Sequence, residues 1–91
     1  AGRIEMLIVA AGARRDLGEV DAAAVALQVP ELRSRSREPW VARLRYAYAD
    51  NLEAAGRVGE AQRWFLRAAE ADPEGATDAE DRAHAIRVDE N

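Results

Sequence analysis

Between Trp40 and Pro73 the chain reads WVARLRYAYADNLEAAGRVGEAQRWFLRAAEADP, a spacing that confines it to two successive helices. Val41, Leu44, Tyr48, Leu52 and Ala55 recur every three or four residues, which gathers them on one face of a helix with about 3.6 residues per turn. Pro39 stands just ahead, where a missing N–H is tolerated, and Ala55-Gly56 supplies the left-handed exit that glycine makes without steric cost. A second helix is expected from about Val58 to Ala71. It carries Ala61, Phe65 and Ala68 on one face with Trp64 and Leu66 beside it, and it is stopped at Asp72-Pro73. A link of only a few residues forces the two helices to run antiparallel.

In register, Arg45, Tyr48, Ala49, Leu52, Ala61, Phe65, Ala68 and Pro73 follow the pattern of a known repeat: a bulky residue, a large and a small one three and four positions on, a large one three further, then A-x3-F and a closing proline. On these residues the stretch resembles the tetratricopeptide repeat. Ala49 and Ala61 are the small positions through which neighbouring helices approach closely. Arg45 departs from the pattern, since the family prefers tryptophan there, and Trp40 is a candidate to supply the bulk from one turn earlier.

The same pattern recurs upstream. Gly18 against Gly56, Val20 against Val58, Ala23 against Ala61, Leu27 against Phe65, Leu7 against Arg45 and Ala11 against Ala49 share one offset of 38 residues. The first copy therefore has a helix over residues 3–15, with Ile4, Leu7, Ile8 and Ala11 apolar, and a second from about Val20 to Val29, about a turn shorter than its counterpart in the second copy because of Pro30. The resemblance implies an all-α fold, a right-handed stack of antiparallel helical hairpins. Residues 3–30 form a degenerate first repeat, 31–39 a linker, 40–73 the second repeat and 77–88 a capping helix, in one domain over 1–91.

Thr77-Asp78-Ala79-Glu80 has the spacing of a capping box, so this last helix should start near Asp78. Ala79, Ala83 and Ile86 are expected to cover the second hairpin while Asp78, Asp81 and Arg82 stay in water, and the chain is expected to fray from about Val88. A terminal repeat needs such a polar-backed cover.

Ninety-one residues without cysteine leave no disulfide framework and no thiol chemistry. No secretory leader and no membrane-length apolar run is present, so a cytoplasmic location away from membranes is expected. All 13 basic residues are arginine, which with the abundant alanine suggests a GC-rich bacterial source. Residues 1–38 carry six acids and six arginines and residues 39–73 five of each, so the net charge of −4 lies in residues 74–91 and nucleic acid is not expected as a partner. The one locally basic stretch, with Arg33, Arg35 and Arg37 alternating with Ser34 and Ser36, is either a solvated connector or a phosphate-binding or modifiable segment.

Catalytic groups are scarce. His84 has Glu80 and Asp81 within one helical turn, a set that reads as a solvated, charge-paired histidine before it reads as a weak metal site. No serine or lysine stands beside a base and no glycine-rich phosphate loop occurs, so neither an enzyme nor a cofactor is expected.

What remains is protein binding. The resemblance implies a concave surface lined by the first helix of each repeat, which carries over to Arg43, Tyr46, Asp50 and Glu53 in the second repeat and to Glu5, Ile8, Gly12 and Arg15 in the first. Tyr46 lies off the apolar face, so its ring either stands beside Arg43 to grip an extended peptide or packs on the neighbouring repeat's second helix. Family members that clamp a C-terminal carboxylate use lysine and asparagine, and this chain has no lysine, with Asn51 one position out. Two roles follow: a peptide-binding adaptor using that face, or a structural stacking element that self-associates or belongs to a longer repeat chain. Two repeats are fewer than the roughly three such arrays need, and the chain starts at Ala1 with Ile4, Met6, Leu7 and Ile8 near an uncapped end. The second role predicts either a dimer or neighbouring repeats over that surface.

Overall fold

Five helices and one short 3-10 turn account for all the regular structure among the residues that the computed structural model describes, 2–87. They are α1 (Gly2–Asp16), α2 (Val20–Ala26), the 3-10 turn (Pro30–Arg33), α3 (Pro39–Ala54), α4 (Val58–Glu70) and α5 (Ala79–Ala85). No strand occurs among them, and the expected fraying from Val88 concerns residues outside the described set. The Cα radius of gyration is 12.4 Å, close to the roughly 12 Å of a compact chain of this length.

The 38-residue offset is written into the backbone. Gly18 and Gly56 have φ of +83° and +82°. Each lies just past a helix end in which two amide groups turn back on the last carbonyls. Gly18 and Glu19 donate to Arg15 and Arg14 at 2.9 and 3.0 Å; Gly56 and Arg57 donate to Glu53 and Leu52 at 3.0 and 2.9 Å. The next helix then opens on one more equivalent pair, Ala23 to Glu19 and Ala61 to Arg57. Side chains follow suit: Ala11 and Ala49, Ala23 and Ala61, Leu27 and Phe65 are all buried without residual exposure. The helices pack in the order α1 on α2, α2 on α3, α3 on α4 and α4 on α5, with α1 also touching α3.

Between the two copies the chain departs from expectation. α2 ends at Ala26 rather than near Val29, because Pro30 has no N–H to donate and forces Val29 extended, at φ −122° and ψ 157°. Pro30 then opens the 3-10 turn, which carries Leu32 into the core. The turn is tied down by Arg45, whose guanidinium donates to the carbonyls of Leu32 (2.9 Å), Ser34 (3.1 Å) and Arg67 (3.0 Å). Trp40 is half-buried against the core, but the position where tryptophan is expected is filled by this Arg45 fork.

α5 is shorter than the expected 77–88, and no capping box forms. The Thr77 hydroxyl donates to Asp72 and accepts from the Ala79 amide at 3.2 Å, and Asp78, the residue before the helix, makes no side-chain cap. Asp72 organises the connection instead, accepting from the Ala76 and Thr77 amides at 2.8 and 2.7 Å and from the Thr77 hydroxyl at 2.7 Å. These bonds hold its carboxyl below the usual range, the Thr77 hydroxyl contributing most. Ala79, Ala83 and Ile86 are buried, and Gln62 on α4 donates to the Ala83 and Ile86 carbonyls at 2.8 and 3.1 Å.

Candidate functional site

α1, α3 and α5 bring their polar side chains to one face, and ion pairs stitch that face together. Glu5 and Arg43 share the 38-residue offset and pair with each other, Arg43 donating through Nε at 3.0 Å and also through Nη2. One turn or more further along, Arg15 of α1 donates to Asp50 Oδ2 of α3. Arg82 of α5 completes the set. Its Nη1 donates to the Tyr46 hydroxyl at 2.8 Å, and its Nη2 donates to Asp50 Oδ1 at 2.8 Å and Glu53 Oε1 at 2.7 Å.

The guanidinium lies 4.6 Å from the centre of the Phe65 ring and 5.5 Å from that of Tyr46. Phe65 is fully buried in α4, and the edge of Tyr46 meets it at 5.3 Å and 74°, so Arg82 rests against a ring that packing has already fixed. The Tyr46 hydroxyl in turn donates to Asp78. Partial burial of the Arg82 guanidinium opposes its charge, but the bonds to Asp50, Glu53 and Tyr46 outweigh it and raise its pKa. Burial, followed by the bond to Asp78, raises the Tyr46 phenol.

Of the eight positions expected on this face, Glu5, Arg15, Arg43, Tyr46, Asp50 and Glu53 are joined by these contacts. Ile8 is half-buried against the core, and Gly12 is an exposed helix-interior residue with open space beside it. Tyr46 does not stand beside Arg43 as a free ring; it packs edge-to-face with Phe65 of α4 and its hydroxyl is engaged by Arg82 of α5. Arg82 is the residue that sequence reasoning misplaced, since it is half-buried at the centre of the face and not in water. A usable signal exists in the sequence. Shifting α3 by 34 residues sets Pro39 on Pro73, Ala49 on Ala83 and Leu52 on Ile86, a register that puts Arg82 where Tyr48 stands.

The remaining candidates are accounted for by local structure. Ser34 and Ser36 hydroxyls accept from the Ser36 and Glu38 amides, both at 3.1 Å, which spends them on steering the chain into α3. Arg35 and Arg37 are exposed and line a cleft of about 420 Å³ together with Arg45, Glu70 and Pro73. Arg33 lies 5.7 Å from the Trp64 ring centre, with Arg67 at 4.8 Å from the same ring. His84 is exposed on α5, and among the described residues no three His, Cys, Asp or Glu side chains are grouped to hold a metal ion. No described helix is long and apolar enough to cross a membrane. No family model, no curated protein and no solved structure matches this chain.

Proposed function

We propose that this chain works by protein contact as an element of a helical stack, joined end-on through the outer face of α1. In this reading the helices form a right-handed stack of antiparallel hairpins of the tetratricopeptide kind, with α5 in the place of a cap. One observation carries the reading. Met6 and Val9 of α1 and Leu17 just past its end are 74, 73 and 75 % exposed on one side, with Ala10 and Ala13 between them. Their equivalents 38 residues on are covered: Leu44, Tyr48 and Asn51 are buried, and Ala47 and Ala55 are half-buried. α2 is among the helices packed on α3, and Gln28, just beyond its end, reaches Tyr48 at 3.0 Å. The occupant that fits the α1 face is therefore the second helix of a hairpin like α1–α2.

Duplicating residues 1–38 ahead of Ala1 reproduces the observed offset and sets a second α2 against α1. Burying large apolar side chains such as these stabilises by about 1.5–3 kcal/mol each, so the tandem chain should melt in one transition, raised by roughly 10 °C or more. Met6→Glu in the tandem should cancel most of that gain, whereas in the original chain, where Met6 is exposed, it should cost little. A tandem chain that keeps the original midpoint, with Met6 oxidised by peroxide at the original rate, would refute stacking.

A second reading, recognition of a peptide on the face of Arg43, Tyr46, Asp50 and Glu53, is favoured by one different observation: the face already holds a side chain, Arg82, by contacts of the kind an interface anchor makes.

A further inference from the structure

The contacts around Arg82 describe a receptor as well as a brace. A planar cation rests on the fixed ring of Phe65, with acceptors from Tyr46, Asp50 and Glu53 at 2.7–2.8 Å around its edge. That combination of flat support and forked acceptors matches guanidinium and fits an ammonium poorly, since lysine offers a compact charge with no plane to stack. The receptor lies on α3 and α4, and its occupant belongs to a separate, short element.

α5 has seven residues, well below the roughly 12–15 at which an isolated helix begins to persist. The residues it buries, Ala79, Ala83 and the following Ile86, include only one large side chain. Its remaining ties are Arg82, the Gln62 bonds, and the Asp78 bond to Tyr46. A helix this short does not hold its shape away from the core, so α5 is an element that can open locally while α3 and α4 stay folded. Opening strips Glu53 of its partner among the described residues, frees the Tyr46 hydroxyl and leaves Asp50 with Arg15 alone. The vacated face then carries uncompensated negative charge over an exposed aromatic ring.

We propose that Tyr46, Asp50, Glu53 and Phe65 form a recognition site for an arginine side chain, that α5 fills it as a built-in occupant, and that an arginine-bearing segment of a partner protein binds by replacing α5. This inference builds on the peptide-recognition reading and uses a surface separate from the α1 face, so failure of the tandem-chain experiment leaves it standing.

The test uses the full chain carrying Arg82→Ala and a synthetic peptide of residues 76–87, ATDAEDRAHAIR, against the same peptide with citrulline replacing Arg82. Citrulline keeps the shape and loses the charge. The arginine peptide should bind about tenfold more tightly than the citrulline one, and adding Asp50→Asn and Glu53→Gln should erase that preference. Equal affinity for the two peptides, or no binding by a variant that circular dichroism shows to be helical, overturns the proposal. If Arg82→Ala does not fold, hydrogen exchange of the unaltered chain decides. Excess arginine peptide should speed exchange in residues 79–85 and leave 58–70 protected, while the citrulline peptide does neither; unchanged exchange overturns the proposal.

Discussion

Arg45 offers the sharpest quantitative test of how the two halves of this chain are held together. Its fork joins three main-chain carbonyls, from the 3-10 turn (Leu32), the link after it (Ser34) and the end of α4 (Arg67), at 2.9–3.1 Å. Arg45→Met keeps most of the apolar stem and removes all three bonds. A hydrogen bond to a charged group nets about 1.5–3 kcal/mol, and three independent dry bonds would total about 4.5 kcal/mol or more. Arg45 is half-buried, so part of that is recovered when water reaches the released carbonyls, and the loss should be about 2–3 kcal/mol. Thermal unfolding followed at 222 nm should then show a midpoint lowered by roughly 10 °C or more. Arg45→Lys, with a single ammonium for three acceptors spread over two segments, should recover less than half of the loss. Burial, with help from neighbouring Arg67, lowers the Arg45 pKa, and a guanidinium stays charged at neutral pH. Because its acceptors are neutral carbonyls, the loss should persist in about 0.5 M salt, where exposed ion pairs are screened. A loss under about 0.5 kcal/mol, or one that salt abolishes, would place the effect in the weak field of Glu70 and refute the fork as the tie.

Two further tests follow from the links. Gly56→Ala should destabilise by about 1–2 kcal/mol because Gly56 sits at φ +82°. Gly59→Ala, on the first turn of α4 with nothing within 4 Å of the added methyl, should stabilise by about 0.5–1 kcal/mol; chemical denaturation of the two variants reads the opposite signs. Asp72 has its folded-state pKa below the ordinary 3.8, led by the Thr77 hydroxyl bond. Its stabilising contribution is therefore present above the unfolded-state value and lost as pH falls through the folded one. The stability gap between the unaltered chain and Asp72→Asn should be largest near neutrality and shrink below about pH 4 in acid titrations followed by circular dichroism; a gap that stays constant across that range contradicts the assignment.

The helices were legible because their signals are local and repeated. Val41, Leu44, Tyr48 and Leu52 declare one face by spacing alone, and Gly18 and Gly56 mark their exits with the one residue that takes positive φ without strain. The parts that escaped all involve partners without a sequence mark. Leu32 is a lone apolar residue among charges, with no period to set it apart from a solvated linker, and only the structure places it in the core. Arg45 bonds to carbonyls, which every residue possesses, so nothing in the letters distinguishes its fork from a surface arginine. Arg82 meets residues 29 to 36 positions away, and the amphipathic rule assigns a charged side chain to water unless a buried partner is known. Thr77 follows the capping-box spacing, but its hydroxyl, oriented by donating to Asp72, accepts from the Ala79 amide and not from that of Glu80. On the candidate face, spacing placed Glu5, Arg15, Arg43, Tyr46, Asp50 and Glu53 together, and it could not tell that they would find each other and α5.

Asp50 is a junction between α1 and α5. Its two carboxylate oxygens are divided between Arg15 on the first helix and Arg82 on the last, elements that share few other ties. A single anion claimed from both sides behaves as a balance. Whatever withdraws Arg82 leaves the whole charge to Arg15 and tightens the grip on α1, and whatever pulls α1 away deepens the hold on α5. Through one carboxylate, α1 and α5 each respond to the state of the other with the opposite sign.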